Sequence, residues 1–272
     1  MPLLVALDAM LGNGWIGLTL VSACAERRGG YFAAMILFGQ ALPIAVLAVP
    51  AMFVCLTLAE MLVPALPADR RRWPLNLLLG VANTLILRLL TAIGPIAAAH
   101  WAAGQNMGLF NYILWPTPAL AIANILLLDL AIYWQHRAFH RWHWGWALHR
   151  LHHADTMFDV TTGVRFHPGE ALLSLFYKSA IVILLGVPPA IVLAFELYLT
   201  LFSLIEHANI RLPVRWEGNL RRFWVTPAMH RIHHSAHGGD HNHNYGFALA
   251  LWDHLFGSYQ STASGPRIGT PT

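Results

Sequence analysis

Apolar residues run through this chain in long blocks separated by short polar breaks, a pattern that predicts membrane-length helices. Residues 33–63 form the first strong apolar run, with Pro43 and Pro50 inside it as expected kinks and Arg70-Arg71-Arg72 closing it. A second run extends from about Leu75 to Ala99. Arg88 falls in its middle, where a charge is costly, and is expected to face the bundle, a polar cavity or a lipid headgroup. A third run, about Ala119 to Gln135, ends directly at His136. Ala171–Gly186 and Ala190–Glu206 are shorter runs divided by Val187-Pro188-Pro189, each at or below the roughly 17–25 residues of a full crossing. They read as a re-entrant hairpin or as two short crossings. Residues 1–26 are weakly apolar and broken by Gly12, Asn13 and Gly14, which suits a short span or an interfacial helix. No basic region precedes that stretch, so no cleaved signal peptide is expected.

The predicted fold is an all-α integral membrane protein. It would be a helical bundle of about four or more membrane segments carrying a cytoplasmic, histidine-rich metal-binding cap. Composition agrees: 57% of residues are hydrophobic, only 11% are charged, and mean hydropathy is +0.51, which excludes an ordinary soluble domain. A net charge of +4 could suggest nucleic acid, but the sixteen arginines and single lysine cluster beside apolar runs. That pattern follows the positive-inside rule instead. The loop from His100 to Pro118 has no charged residue and carries Trp101, Tyr112 and Trp115, as an interfacial belt on the opposite side would. The scarcity of lysine and the compact length fit a bacterial inner membrane. Cys24 and Cys55 lie in apolar segments and read as buried structural thiols. Trp134, Trp142, Trp144 and Trp146 read as an interfacial belt.

The histidines sort by topology. Of sixteen, none precedes His100, and the fifteen from His136 onward all map to the basic side. Residues three and four apart share a helical face. His136 and His140 can therefore point together, as can His149 with His152 and His153, and His230 with His233 and His234. Neutral imidazoles suit Fe, Zn, Cu or Ni, and eight or nine of them exceed what one ion takes, so two metals are expected. Asp129 lies seven residues before His136 on the same face and is expected to support it from within the apolar span. Asp155, Asp159, Glu170 and Glu206 are further candidates to orient ligating imidazoles. His167 and His241 are candidates to bind metal or substrate. His143, in a Trp-rich run, is not expected to ligate, and His237 and His254 read as surface residues.

The ordered series HRAFH, HRLHH, DVTTGVRFHPGE, EHANIRLP, TPAMHRIHH and NYGFALALWDHLFGSY resembles the sterol desaturase/fatty acid hydroxylase superfamily, particularly its bacterial members. The resemblance covers roughly Asp129 to Tyr259. It divides the chain, read as one membrane domain over 1–272, into N-terminal spans (1–128), a fatty acid hydroxylase-like catalytic region (129–260) and a loose tail (261–272). It implies a non-haem diiron centre that uses O2 to attack an unactivated C–H bond of a lipid, by hydroxylation or desaturation. Carried over by position, it assigns His136, His140, His149, His152, His153, His230, His233 and His234 as ligands and adds His207. Some relatives have a further histidine four residues later, where this chain has Arg211. His167-Pro168-Gly169-Glu170 looks slightly like a haem-binding signature but stands in a membrane-flanked loop. Electrons are therefore expected from outside, through a cytochrome b5-type carrier or a ferredoxin with its reductase. Arg215, Arg221, Arg222 and Arg231 form a basic patch suited to an acidic donor or to lipid phosphate. Zinc could replace iron in such a cage. The alternative is a zinc-dependent membrane hydrolase or a non-oxidative metal-binding protein, but no HExxH supplies its general base.

Overall fold

A computed structural model describes residues 31–113, 117–237 and 239–270, with side chains from residue 47 onward apart from Thr117. The expectations for residues 1–26, Cys24 and Trp115 lie outside the described residues. Among those residues the regular structure is helical, and β-pairing is limited to three isolated bridges: Pro64–Ile210, Trp224–Leu249 and Ser235–Ile268.

The first apolar run is helix α1, Tyr31–Leu62, which continues through both prolines. Helix α2, Trp73–Leu89, starts with a proline in its first turn, and Arg88 stands half-buried in its last turn. A basic residue at a helix C-terminus complements the exposed carbonyls there. The expected single span Leu75–Ala99 is not continuous. A short 3-10 turn, Thr91–Ile93, leads to Gly94 in an extended conformation, and Pro95 opens helix α3, Pro95–Gly104. Proline disfavours a helical conformation in the residue before it, so the break falls at Gly94. The segment expected as loop from His100 accordingly continues as helix to Gly104.

Helix α4, Thr117–Arg141, carries Asp129, His136 and His140. Helix α5, His143–His153, follows almost at once. Helices α6, Pro168–Leu185, and α7, Pro189–Glu206, form the hairpin, and each 18-residue helix reaches about 27 Å, close to a bilayer's hydrocarbon depth. Gly186 closes α6 at φ 70°, and a Cβ there would lie 2.7 Å from Asn111 Nδ2 and 2.8 Å from the Met107 carbonyl. Only glycine serves both the left-handed turn and that close approach.

Three helices, Pro118–Arg141, Pro168–Leu185 and Pro189–Glu206, are long and apolar enough to cross a membrane, and Leu47–Leu62 and Trp73–Leu89 are shorter apolar helices. Their outer faces expose Leu58, Leu62, Leu78, Leu85, Phe176 and Leu184, a surface that lipid covers and water would not. Cys55, expected to be buried, is exposed on α1. Inside, Ala99, Leu128, Ile132, Val182, Val192 and Phe195 from α3, α4, α6 and α7 pack as one core. Leu56, Val160, Leu204 and Ala208 fasten α1 to α7. The hairpin also holds an ion pair unforeseen in the sequence, Lys178 to Glu196 at 2.7 Å.

The C-terminus of α4, the N-terminus of α6 and the C-terminus of α7 gather at one end of the bundle. Four short elements complete a cap there: the 3-10 turn Val160–Val164, helix α8 (Val214–Leu220), helix α9 (Pro227–His233) and helix α10 (Leu251–Leu255). The segment expected as a loose tail is tied to this cap. Ser264 binds Asp240 through its backbone N–H (2.8 Å) and hydroxyl (2.6 Å), and the Gly269 N–H donates to the His234 carbonyl at 3.1 Å.

Candidate metal centre

Nine histidines converge where the cap meets the bundle, and they divide into two groups. His136, His140, His149, His153 and His233 form one; His152, His207, His230 and His234 form the other. Within each group the candidate ligand atoms all lie within 4.8 Å of one another. Each HxxHH motif contributes to both: α5 gives His149 and His153 to the first and His152 to the second, while α9 and its C-cap give His233 to the first and His230 and His234 to the second.

The hydrogen bonds behind the rings set their tautomers. His136 Nδ1–H donates to the Tyr245 carbonyl (2.9 Å), and His149 Nδ1–H donates to Glu170 Oε1 (2.7 Å). His152 Nδ1–H donates to the Arg165 carbonyl (3.1 Å), His207 Nδ1–H to the Ser203 carbonyl (2.7 Å), and His233 Nδ1–H to the His243 carbonyl (2.8 Å). Each of these rings is thereby committed to presenting a bare Nε2 lone pair inward. The consequence is an arrangement no apo protein would choose. His207 and His152 face each other Nε2 to Nε2 at 3.0 Å with no proton left for the contact, and His136 and His149 approach in the same way at 3.1 Å. Two lone pairs at that distance repel unless a cation lies among them. Both ring nitrogens of His140 and Nε2 of His233 are buried without any partner, which tells the same story. The donor set fits metal.

Burial and mutual repulsion favour the neutral ring at six of the cage histidines. Burial holds His152, His153, His230, His233 and His234 well below the ordinary imidazole value of 6.5, with neighbouring histidines adding to the effect. His207 is pushed down to about 4, chiefly by burial.

The other expected residues fall into different places. Glu170 holds His149, as described. Glu206 is fully buried with its oxygens 3.6 Å from His207 Nδ1 and His230 Nδ1, so it faces two imidazoles of the second group. Asp129 does not support His136: it accepts from Trp252 Nε1–H at 2.7 Å and from the Tyr198 hydroxyl at 3.5 Å, tying α10 and α7 to α4. Seven residues along a helix is about 10 Å, too far for a direct carboxylate contact. Asp155 and Asp159 do not touch an imidazole either; both receive the Arg72 guanidinium. His167 joins neither group. Its Nδ1 accepts the Gly169 N–H at 3.0 Å, capping α6. His241 stacks beside the first group, its ring 5.9 Å from His140 and 5.5 Å from Trp146, but also lies outside both. Trp134, Trp142 and Trp144 are exposed as expected of a belt, whereas Trp146 turns inward against His140 and His153. His143 and His254 are exposed.

A polar scaffold holds the second group in place. Asn76 donates to Asp155 and Thr161 (2.9 Å each), Arg165 donates to Asn76 Oδ1 (2.8 Å), and Glu60 accepts the Val160 and Asn209 N–H groups at 2.7 and 2.8 Å. Gly163 lies so close that a Cβ would meet the Ser203 carbonyl at 2.6 Å. Arg70-Arg71-Arg72 reads in the sequence as a topology marker, and nothing there separates Arg72 from its neighbours. The carbonyls of Tyr245, Arg165, Ser203 and His243 carry no side-chain signal at all.

The family model described as fatty acid hydroxylase matches residues 121–258, about half the chain. The chain is similar to an ornithine lipid hydroxylase of Rhizobium tropici, 29% identical over 148 residues that cover 54% of this chain and 44% of that protein. It is also similar to the human alkylglycerol monooxygenase, 27% identical over 157 residues that cover 58% of this chain and 34% of that one. A very-long-chain aldehyde decarbonylase of rice is 26% identical over 157 residues, 53% of this chain and 24% of that protein. The chain thus spans less than half the length of these relatives, and no solved structure matches it. Since the matched residues take in both histidine groups and every hydrogen bond behind them except those of the α1–α2 end, the chain belongs to the fatty acid hydroxylase family.

Proposed function

We propose that this protein is a membrane-bound non-haem diiron oxygenase that uses O2 and externally supplied electrons to hydroxylate, or desaturate, a C–H bond of a sterol, fatty acyl or related lipid. One observation carries the reading: two adjacent imidazole groups of five and four, in which five rings are held from behind with Nε2 turned inward. His136, His140, His149, His153 and His233 would hold one iron; His152, His207, His230 and His234 would hold the other. Iron in such a cage supplies the oxidising power that side chains lack. The relatives' names, a lipid hydroxylase and an alkylglycerol monooxygenase, support a lipid as the substrate class.

The chain's own residues do the rest. Glu170 and four backbone carbonyls fix ring orientation, so the ligands need little reorganisation on loading. Glu206 places negative charge behind His207 and His230. The cage's burial excludes water, and the apolar bundle beneath it suits a lipid chain. The cap faces the cytoplasm in this reading, where a cytochrome b5-type carrier or a ferredoxin with its reductase could dock. All 272 residues act as one membrane domain.

Protein purified under reducing conditions should contain about two irons per chain by elemental analysis. Stoichiometric zinc together with no O2-dependent turnover would overturn the proposal in favour of a hydrolase. Comparative lipidomics of cells with and without the gene should show a product carrying one added oxygen or lacking two hydrogens.

A further inference from the structure

Arg231 lies between two histidines of the second HxxHH, yet its side chain points away from the cage. Its Nε is buried without an acceptor, and its only hydrogen bond to the described residues is a long one, Nη2–H to the Ile210 carbonyl at 3.5 Å. Among the described residues no carboxylate forms an ion pair with it. The guanidinium lies over the Phe158 ring at 5.3 Å, which packs its body but supplies no counter-charge. A partly buried cation left in this state is costly, and proteins ordinarily pair it.

The same guanidinium lines a cavity of about 310 Å³ between α8, α9 and the 261–268 segment. Arg221, on another wall, is fully engaged: it donates to Glu217 through Nε (3.2 Å) and Nη2 (2.8 Å), and through Nη1 to the Ser261 carbonyl (3.1 Å). Glu217 is thereby committed to Arg221, and to the Thr226 hydroxyl as well. Asp240, which receives the tail, is likewise held by Ser264 and Gln260. Glu217 also attracts Arg231, and Arg211 repels it, so one carboxylate is shared by Arg221 and Arg231. The cavity therefore carries unbalanced positive charge, with free donors on Arg231 and the hydroxyl-bearing Ser261 and Thr262 on its wall.

We propose that this cavity is an anion-binding site that takes a phosphate or carboxylate group, with Arg231 as its anchor. Arg231 Nη1, which has no partner among the described residues and is not a buried atom, offers a charged N–H donor to an oxygen of such a group. Leu66, on the short connection between α1 and α2, also lines the cavity. The same chemistry could come from an anionic lipid headgroup or from a soluble phosphate. Occupancy would be felt at the cage, because Phe158 separates Arg231 from His207 (5.5 Å, stacked) and His234 (5.3 Å) by a single ring. The bound group would be no ligand of the metals.

The test uses the full-length protein in detergent, and its readout is binding, independent of whether the cage holds iron. Inorganic phosphate titrated at constant ionic strength should raise the melting temperature, and bilayer discs containing phosphatidylglycerol should retain that lipid over phosphatidylcholine. Stabilisation by phosphate alone assigns the site to a soluble anion; selective lipid retention assigns it to a headgroup. Arg231→Gln should weaken either interaction by at least about tenfold. Should that variant lose metal or fail to fold, Ala263→Phe fills the cavity from the tail side and should abolish binding while leaving metal content intact. Equal stabilisation of wild type and both variants, or no response to phosphate and phosphatidylglycerol alike, overturns the proposal.

Discussion

At the scale of single residues, the HxxHH motifs work by divergence. Residue i+4 on a helix lies about 40° to one side of residue i, and residue i+3 about 60° to the other. His149 and His153 therefore serve one group while His152 turns to the next, and α9 repeats the arrangement with His230, His233 and His234. Spacing showed that these rings share a face but could not show which way the face divides. Glu170→Gln tests one ring's support. Losing the carboxylate behind His149 should weaken metal retention at the first group by roughly 10–100-fold, measured by competition with a chelator, with the second group's metal retained. The neutral rings also set a pH dependence in the metal-free protein. His152, His153, His230, His233 and His234 bind protons less readily folded than unfolded. Below about pH 6.5 the unfolded chain takes up protons that the folded one refuses, so stability falls as pH falls through the imidazole range. Thermal melts of chelator-treated protein between pH 8 and 5.5 should show a steadily decreasing melting temperature; a flat profile would contradict the neutral rings.

At the scale of elements, the segment from Asp155 to Arg165 is the part whose role changed most. Asp155 and Asp159 were legible as acidic residues near the cage, but they act two steps from it, by clamping Arg72 at the start of α2. That clamp, with Asn76 and Arg165, fixes the carbonyl that orients His152. Removing one partner of a buried charge network costs about 3–5 kcal/mol. Arg72→Gln should therefore lower the melting temperature, and elemental analysis should show preferential loss of the metal at His152 and His207. Arg72→Lys should rescue little, because an ammonium cannot bridge two carboxylates in the guanidinium's planar geometry. Retention of both metals in Arg72→Gln would reduce the network to a helix–cap fastening. Asp129 is the opposite case: its position seven residues before His136 suggested a supporting contact, and folding instead used it to bind Trp252 and Tyr198.

At the scale of the whole molecule, the bundle's job is to bring the C-termini of α4 and α7 and the N-terminus of α6 to one surface. The uncharged, aromatic stretch between α3 and α4 and the arginines flanking the cap fit the proposal that this surface faces the cytoplasm. With the native cysteines replaced, Arg150→Cys on the exposed side of α5 should resist a membrane-impermeant maleimide in intact cells and react after permeabilisation. Labelling in intact cells would invert the topology.

The sequence by itself determined the class of this protein, because apolar run length and histidine spacing are local quantities that survive without a fold. From them came the helical membrane bundle and eight grouped histidines, while His207 came from the resemblance that the family match later bore out. The sequence also offered Asp129, Asp155, Asp159, Glu170 and Glu206 as candidates to orient imidazoles, and only folding separated Glu170 and Glu206 from the aspartates. Only the tertiary structure decided how nine rings divide into five and four, because that depends on the angle at which α5 and α9 meet. It alone decided that backbone carbonyls hold four of the nine rings, since a carbonyl is present at every residue and marks none. And it alone separated Arg72, clamped between two aspartates, from Arg231, left facing a cavity without an ion pair. Charge is written in the sequence; its neutralisation is a matter of which distant residue arrives beside it.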